Sequence, residues 1–285
     1  MMIPAAISPA APGTLSAADF AKVARIAHVH AGIVLHPGKS QLVASRLARL
    51  QRSYDCDDLH RFVQLITDDA AARVQAIEAL TTNHTKFFRE EHHFQHVASV
   101  LRPMLLDRID RRQRVRLWSA GSSTGEEVYS LGMTLLGTDA SSARTILDGD
   151  VALLATDINT VVVETGRAAR YAAGDAAAIP ADLASRWTQA TGGEVTMAPD
   201  LRGLVRFRQL NLLDEWPIRG QFDAIFCRNT MIYFDDPTTE RLQCRLADRL
   251  VDGGFLYLGH SERLLGEAAR RVVPVGQTIF RKVPA

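Results

Sequence analysis

The 285-residue chain has little cysteine: Cys56, Cys227 and Cys244, with no C-x-x-C pair. An odd, unpaired set excludes a disulfide scaffold and points to reduced thiols in a cytoplasmic protein. A dominant charge is missing too. Thirty-three Lys+Arg face 32 Asp+Glu, a net +1, so no global field draws nucleic acid or a membrane surface, and a charged partner must meet a local patch. No apolar run approaches the length of about 18 residues that spans a bilayer. Internal repeats are absent. At 47% hydrophobic and 23% charged residues, the composition excludes a disordered or collagen-like chain, and the length suggests two domains with a large core.

The opening segment, through Pro4, Pro9 and Pro12-Gly13, lacks a basic n-region, and its prolines interrupt any apolar run. It reads as a mobile tail over 1–15 rather than a signal peptide. Residues 16–110 read as a helical domain. Ser16 is a candidate N-cap with Asp19 in the first turn, and Phe20, Val23, Ile26 and Ala27 follow at helical spacing. After the break at His36-Pro37-Gly38, a second helix carries Arg46, Arg49 and Arg52 on one broad face with Lys39 at its start and no acid between them. That face is either simply solvated or a dock for an acidic partner.

From 111 to 285 the texture is α/β. Val115–Ala120 reads as a buried strand, a Gly-rich turn 121–127 opens a helix, and Val151–Ala155 is a second strand ending in Asp157. Strands at 205–210, 222–227 and 254–258 continue the alternation, which predicts a mostly parallel sheet with helices on both faces. Residues 171–204 interrupt it, and Gly192-Gly193 suggests a hairpin inserted there. Short strands over 272–282 close the sheet.

Ligands of such sheets bind outside the carboxyl ends of the strands. The turn Gly121–Glu127 is neither G-x-G-x-x-G nor a P-loop, and its acids Glu126 and Glu127 repel phosphate but suit an ammonium or sulfonium group; capping of the helix is the plainer role for them. Asp157 ends the second strand, where an acid can hold ribose hydroxyls, and Asn211-Leu212 ends the next, where an amide and an apolar residue can border a base; either could equally be a turn. Together they fit S-adenosylmethionine better than NAD.

Four segments then carry a resemblance: Thr81–Glu90 (TTNHTKFFRE), Trp118–Ser130 (WSAGSSTGEEVYS), Phe222–Phe234 (FDAIFCRNTMIYF) and Gly259–Glu262 (GHSE). In this order they resemble the chemotaxis-receptor glutamate O-methyltransferase (CheR) family, with the likeness running from about 18 to 282. The resemblance implies an all-helical N-terminal domain followed by a Rossmann-like class I methyltransferase domain with a small antiparallel β insertion. It implies S-adenosylmethionine as cofactor and S-adenosylhomocysteine as product. Asn83, Thr85, Arg89, Glu126, Asp157, Asn211, Leu212, Arg228 and Asn229 would bind the cofactor, and Arg89 and Tyr233 would stand at the reaction centre. The substrate would be glutamate side chains on the cytoplasmic helical region of a receptor, methylated to adjust its signalling, with Arg46, Arg49 and Arg52 docking that acidic surface. The segment Arg186–Val195 is shorter than the glycine-rich loop with which some members bind a receptor's C-terminal pentapeptide, so independence of that peptide is expected, as are a monomer, no nucleic-acid partner and no membrane insertion. No metal is expected: His92 and His96 are four apart but lack the H-E-x-x-H order, and Gly259-His260-Ser261-Glu262-Arg263 lacks the closing glycine of a nucleophile elbow. The alternatives are a regulator that binds the cofactor without transferring methyl, and the same chemistry on another acceptor.

Overall fold

The computed structural model describes residues 14–284; residues 1–13 and 285 lie outside them, and with them nearly all of the tail expected over 1–15. The chain divides into two units, Met1–Thr82 with Tyr233–Asp235, and Asn83–Ile232 with Asp236–Ala285. The division therefore falls at 82/83 and not near 110. The reason is burial: Phe94, Val97, Leu101 and Leu105 share one hydrophobic cluster with Leu117, Tyr129 and Phe226. No helix among the described residues is long and apolar enough to cross a membrane.

The first unit holds α1 (Ala17–Ala31), α2 (Ser40–Ser53), α3 (Leu59–Asp68) and α4 (Ala70–Leu80). Local caps start three of them: Ser16, Asp58 and Asp69 accept the backbone N–H of Asp19, Arg61 and Ala72, filling donors that the first helical turn leaves unpaired. Phe20, Val23, Leu47, Phe62, Val63 and Ile77 are buried. The basic face of α2 is not uniform. Arg46 donates to the carbonyls of Leu80 (2.6 Å) and Thr81 (3.0 Å) and to Thr82 Oγ1 (3.1 Å). It thus caps the end of α4, where carbonyls lack helical partners, and is not a free docking side chain as expected. Arg49 and Arg52 are exposed. Tyr233 falls with this unit: it is half-buried, and its carbonyl accepts the Val34 N–H at 2.8 Å.

The second unit begins with α5 (Glu91–His96), a π-helical turn and α6 (Arg102–Asp110). Then come β1 (Val115–Ala120), α7 (Glu126–Leu136), α8 (Ala140–Asp148), β2 (Val151–Asp157) and α9 (Thr160–Ala168). The insertion comprises β3 (Arg170–Ala172), α10 (Ala173–Ala176), α11 (Ala181–Trp187), β4 (Thr188–Thr191) and β5 (Glu194–Met197). α12 (Pro199–Leu204), β6 (Val205–Gln209), β7 (Phe222–Cys227), α13 (Asp236–Asp248), β8 (Leu250–Leu258), α14 (Ala268–Arg271), β9 (Val272–Gly276) and β10 (Ile279–Lys282) complete it.

The main sheet has the order β6-β2-β1-β7-β8-β10-β9. Its first five strands are parallel, and β10 runs antiparallel to both β8 and β9. β7 is buried along its whole length and β1 at all but one position, as expected of central strands covered on both faces. The insertion forms a separate antiparallel sheet, β3-β5-β4. Gly192 and Gly193, at φ 61° and 84°, supply the two positive φ values of the tight β4–β5 hairpin that the sequence predicts.

Candidate functional site

Parallel register brings five strand ends level. Ala120 of β1 pairs with Thr156 of β2, Asp157 with Gln209 of β6, and Cys227 of β7 with Leu258 of β8. The segments leaving these ends carry most of the residues singled out from sequence. They surround the β1/β7 crevice, where the strand order reverses and α/β sheets bind ligands.

The turn after β1 is closed by side chains from elsewhere. Asp157 accepts the Ser123 N–H through Oδ2 (2.9 Å) and the Asn159 N–H through Oδ1 (3.0 Å). Ser123 Oγ donates to the carbonyl of Asn83 (3.0 Å), and Tyr171 of the insertion donates to the carbonyl of Thr124 (2.8 Å). Asp157, the turn and the motif around Asn83 are thereby joined in one hydrogen-bonded set. Gly121 is required twice over: its φ is +81°, and a Cβ there would lie 2.3 Å from Thr230 Oγ1.

Glu126 and Glu127, adjacent in sequence, part company in space. Glu126 is buried, with Oε2 accepting the Thr124 hydroxyl (2.7 Å). Burial raises its pKa above the ordinary 4.5, the nearby Asp175 adds to the rise, and the Thr124 bond only partly offsets it. Such a carboxylate is stabilised by an incoming cation. Glu127 instead accepts Ser119 Oγ (2.7 Å) and Arg228 Nη1 (3.1 Å).

Arg228, expected beside the methionine part of the cofactor, has a side chain only 1% exposed. Its guanidinium meets Glu127, Glu90 (3.3 Å) and the carbonyl of Arg89. Arg89 is half-buried, and among the described residues its fork makes a single hydrogen bond, from Nη1 to the carbonyl of His84 (3.1 Å). One arginine is thus consumed in fixing the backbone of the other. Thr85 is half-buried nearby in sequence.

At the remaining strand ends, Asn211 Oδ1 accepts the Leu213 N–H (3.1 Å), and Leu212 is buried with its carbonyl accepting Trp216 Nε1 (3.1 Å). Asn229 sits at φ 55°. The cause is Glu262, to which the motif reading gave no role. Its carboxylate accepts backbone N–H groups from Gly259 (2.6 Å), Asn229 (3.0 Å), Thr230 (2.9 Å) and Met231 (2.8 Å). Only its place in the fourth motif marked it, because acceptance of main-chain donors leaves no sequence periodicity. Ser123, Tyr171 and Glu90 were missed in the same way.

The histidines have different hydrogen-bond partners. His96 Nδ1 meets Tyr257 OH (2.8 Å), whereas His93 Nε2 meets Thr278 Oγ1 (2.9 Å). Glu90, His92 and His93 bring possible ligand atoms within 4.8 Å of one another, but the Arg228 guanidinium on Glu90 opposes a second cation there.

Family models described as "CheR methyltransferase, all-alpha domain" and "CheR methyltransferase, SAM binding domain" match residues 18–81 and 83–279. The chain belongs to the CheR methyltransferase family. Chemotaxis protein methyltransferase 2 of Pseudomonas aeruginosa is 39% identical over 267 residues, covering 92% of this chain and 92% of that protein. The chemotaxis protein methyltransferase of Escherichia coli is 38% identical over 274 residues, covering 93% and 91%, and that of Klebsiella aerogenes 39% over 273 residues, covering 93% and 90%. The helical domain, the Rossmann-like methyltransferase domain and its antiparallel insertion are those the sequence implied. The residues at the strand ends fit the cofactor of a CheR domain. The buried Glu126 carboxylate suits its ammonium end, and the buried Ser122 hydroxyl has no hydrogen-bond partner among the described residues.

Proposed function

We propose that this protein methylates glutamate side chains on the acidic helical cytoplasmic region of a chemotaxis receptor, forming methyl esters that reset receptor signalling. The observation that carries this reading is the convergence of Glu126, Asp157 and the Arg89 loop on one sheet edge in a chain of this family. S-adenosylmethionine, when bound, supplies a methyl group on a sulfonium, with S-adenosylhomocysteine left after transfer.

Glu126 holds the amino end of the cofactor, Asp157 its ribose, and Asn211 and Leu212 border the adenine, with Asn83, Thr85 and Asn229 completing the contacts. The acceptor carboxylate is ionised at neutral pH, so no strong base is needed. The site's task is alignment of the acceptor oxygen, methyl and sulfur. The fork of Arg89 is suited to grip the acceptor carboxylate bidentately, and Tyr233 to orient it. Arg228 acts behind Arg89 as a positioning residue, its charge balanced by Glu127 and Glu90. Arg49 and Arg52 steer an acidic receptor helix by charge complementarity.

The test is transfer of label from tritiated S-adenosylmethionine to receptor-bearing membranes. Base-labile label, released as methanol and lost in Arg89→Ala, is the expected result. Absence of label despite calorimetric cofactor binding would mark a non-catalytic regulator, and base-stable label would mark a different acceptor.

A further inference from the structure

A cleft of about 250 Å³ opens along β6, the edge strand of the main sheet. Four arginines line it: Arg167 from α9, Arg202 from α12, and Arg206 and Arg208 from β6, with the buried rings of Tyr129 and Phe207 beneath. All four are exposed. Only Arg167 has a carboxylate partner, Glu164; among the described residues Arg202, Arg206 and Arg208 pair with none. Arg206 Nη1 donates to the carbonyls of Gly203 (2.6 Å) and Val205 (3.1 Å), and Arg208 Nη1 to that of Phe207 (2.7 Å). These tethers hold both forks beside the cleft and reduce the ordering that a ligand must impose.

Three uncompensated guanidiniums around one concavity repel one another, and an anion relieves that repulsion. The cleft includes Val205, the first residue of β6, and Arg202 in the helix before it. It runs along β6 from Val205 to Arg208, and its lining includes none of Asn83, Arg89, Glu126, Asp157 or Asn211. It also lies between the chain passages into and out of the insertion, since Arg167 precedes β3 and Arg202 follows β5.

We propose that this cleft is a second ligand site that takes a small phosphate-bearing molecule, independent of the cofactor. Phosphate is the matching chemistry because it carries close to two negative charges and three acceptor oxygens, and planar arginine forks bind it bidentately. A single carboxylate would neutralise only one of the three arginines. A concave site of this size admits a phosphate or diphosphate group, whereas an acidic helix needs a broader face.

The test is calorimetric titration of the full chain with inorganic pyrophosphate at low salt, with and without saturating S-adenosylmethionine. Saturable binding is expected, equal in both conditions and about tenfold or more weaker in Arg202→Ala/Arg208→Ala. Arg202→Lys/Arg208→Lys should retain part of it, and Arg49→Ala/Arg52→Ala all of it. The substituted side chains are exposed and bonded at most to neighbouring backbone, so unchanged thermal melts should accompany the loss. Absence of binding at millimolar pyrophosphate, binding indifferent to the double substitution, or competition with S-adenosylmethionine would each overturn the proposal. An acidic polypeptide that binds this face where pyrophosphate does not would overturn it equally. Methyl transfer to receptor is measured separately and is expected to be unchanged in the alanine pair.

Discussion

Arg228 Nη1 lies 3.1 Å from Glu127 Oε2, joining the end of β7 to the first turn of α7 beneath the Arg89 loop. Truncating one member of a buried pair leaves the other charge unpaired, which costs about 3–5 kcal/mol. Arg228→Met, which leaves both Glu127 and Glu90 without their cation, should therefore lower the urea midpoint strongly, and Glu127→Gln less, because Arg228 keeps Glu90 at 3.3 Å. The double substitution should recover part of the Arg228→Met loss, because only Glu90 then lacks its cation. A double-mutant cycle by urea denaturation checks this, and additive losses would mean that the pair is not coupled.

Cofactor affinity should follow the ionisation of Glu126. Burial raises its pKa above the ordinary 4.5, and only the carboxylate form attracts an ammonium group. Binding therefore weakens as pH falls through that raised value and levels off above it. Bound cofactor, by favouring the ionised form, lowers the same pKa. Titration calorimetry from acid to neutral pH should show this slope in the wild type and a flat, weaker profile in Glu126→Gln.

Gly121 and Thr230 give a steric prediction. A methyl group at 121 would overlap Thr230 Oγ1 at 2.3 Å while the backbone stays at φ +81°. Gly121→Ala should be destabilising by more than the roughly 1–2 kcal/mol that a left-handed residue costs alone. Adding Thr230→Ala should recover the overlap but not the backbone strain. Thermal unfolding of the two single variants and the pair separates the contributions.

The basic helix should divide by function. Arg46→Ala removes three hydrogen bonds at the end of α4, and at about 1–3 kcal/mol for the carbonyls left without a partner it should lower the melting temperature. Arg49→Glu/Arg52→Glu should leave the melt unchanged and raise KM for the receptor several-fold, with kcat retained and the effect fading at high salt. Steady-state kinetics with receptor membranes at two ionic strengths checks it.

The difference between Arg46 and Arg49 shows how far a sequence pattern reaches. Both lie on the face defined by helical spacing, but which guanidinium finds a carbonyl depends on where α4 ends, and spacing along α2 holds no information about that. The domain boundary behaved in the same way. Helical periodicity over 91–110 was legible, whereas the burial of Phe94 and Leu105 against the sheet was not.

The sequence by itself determined the elements and the family: strand and helix periodicities, the glycine turn, the hairpin at Gly192-Gly193 and four motifs in order. These are local signals, written in neighbouring residues because local backbone geometry and alternating burial are local physics. Tertiary structure alone decided the partnerships. It turned Glu127 inward to Arg228 and left Glu126 at the sheet edge, gave Glu262 four main-chain donors, and gathered four arginines along β6. Hydrogen bonds and ion pairs between distant segments depend on register and burial, which only the folded chain supplies.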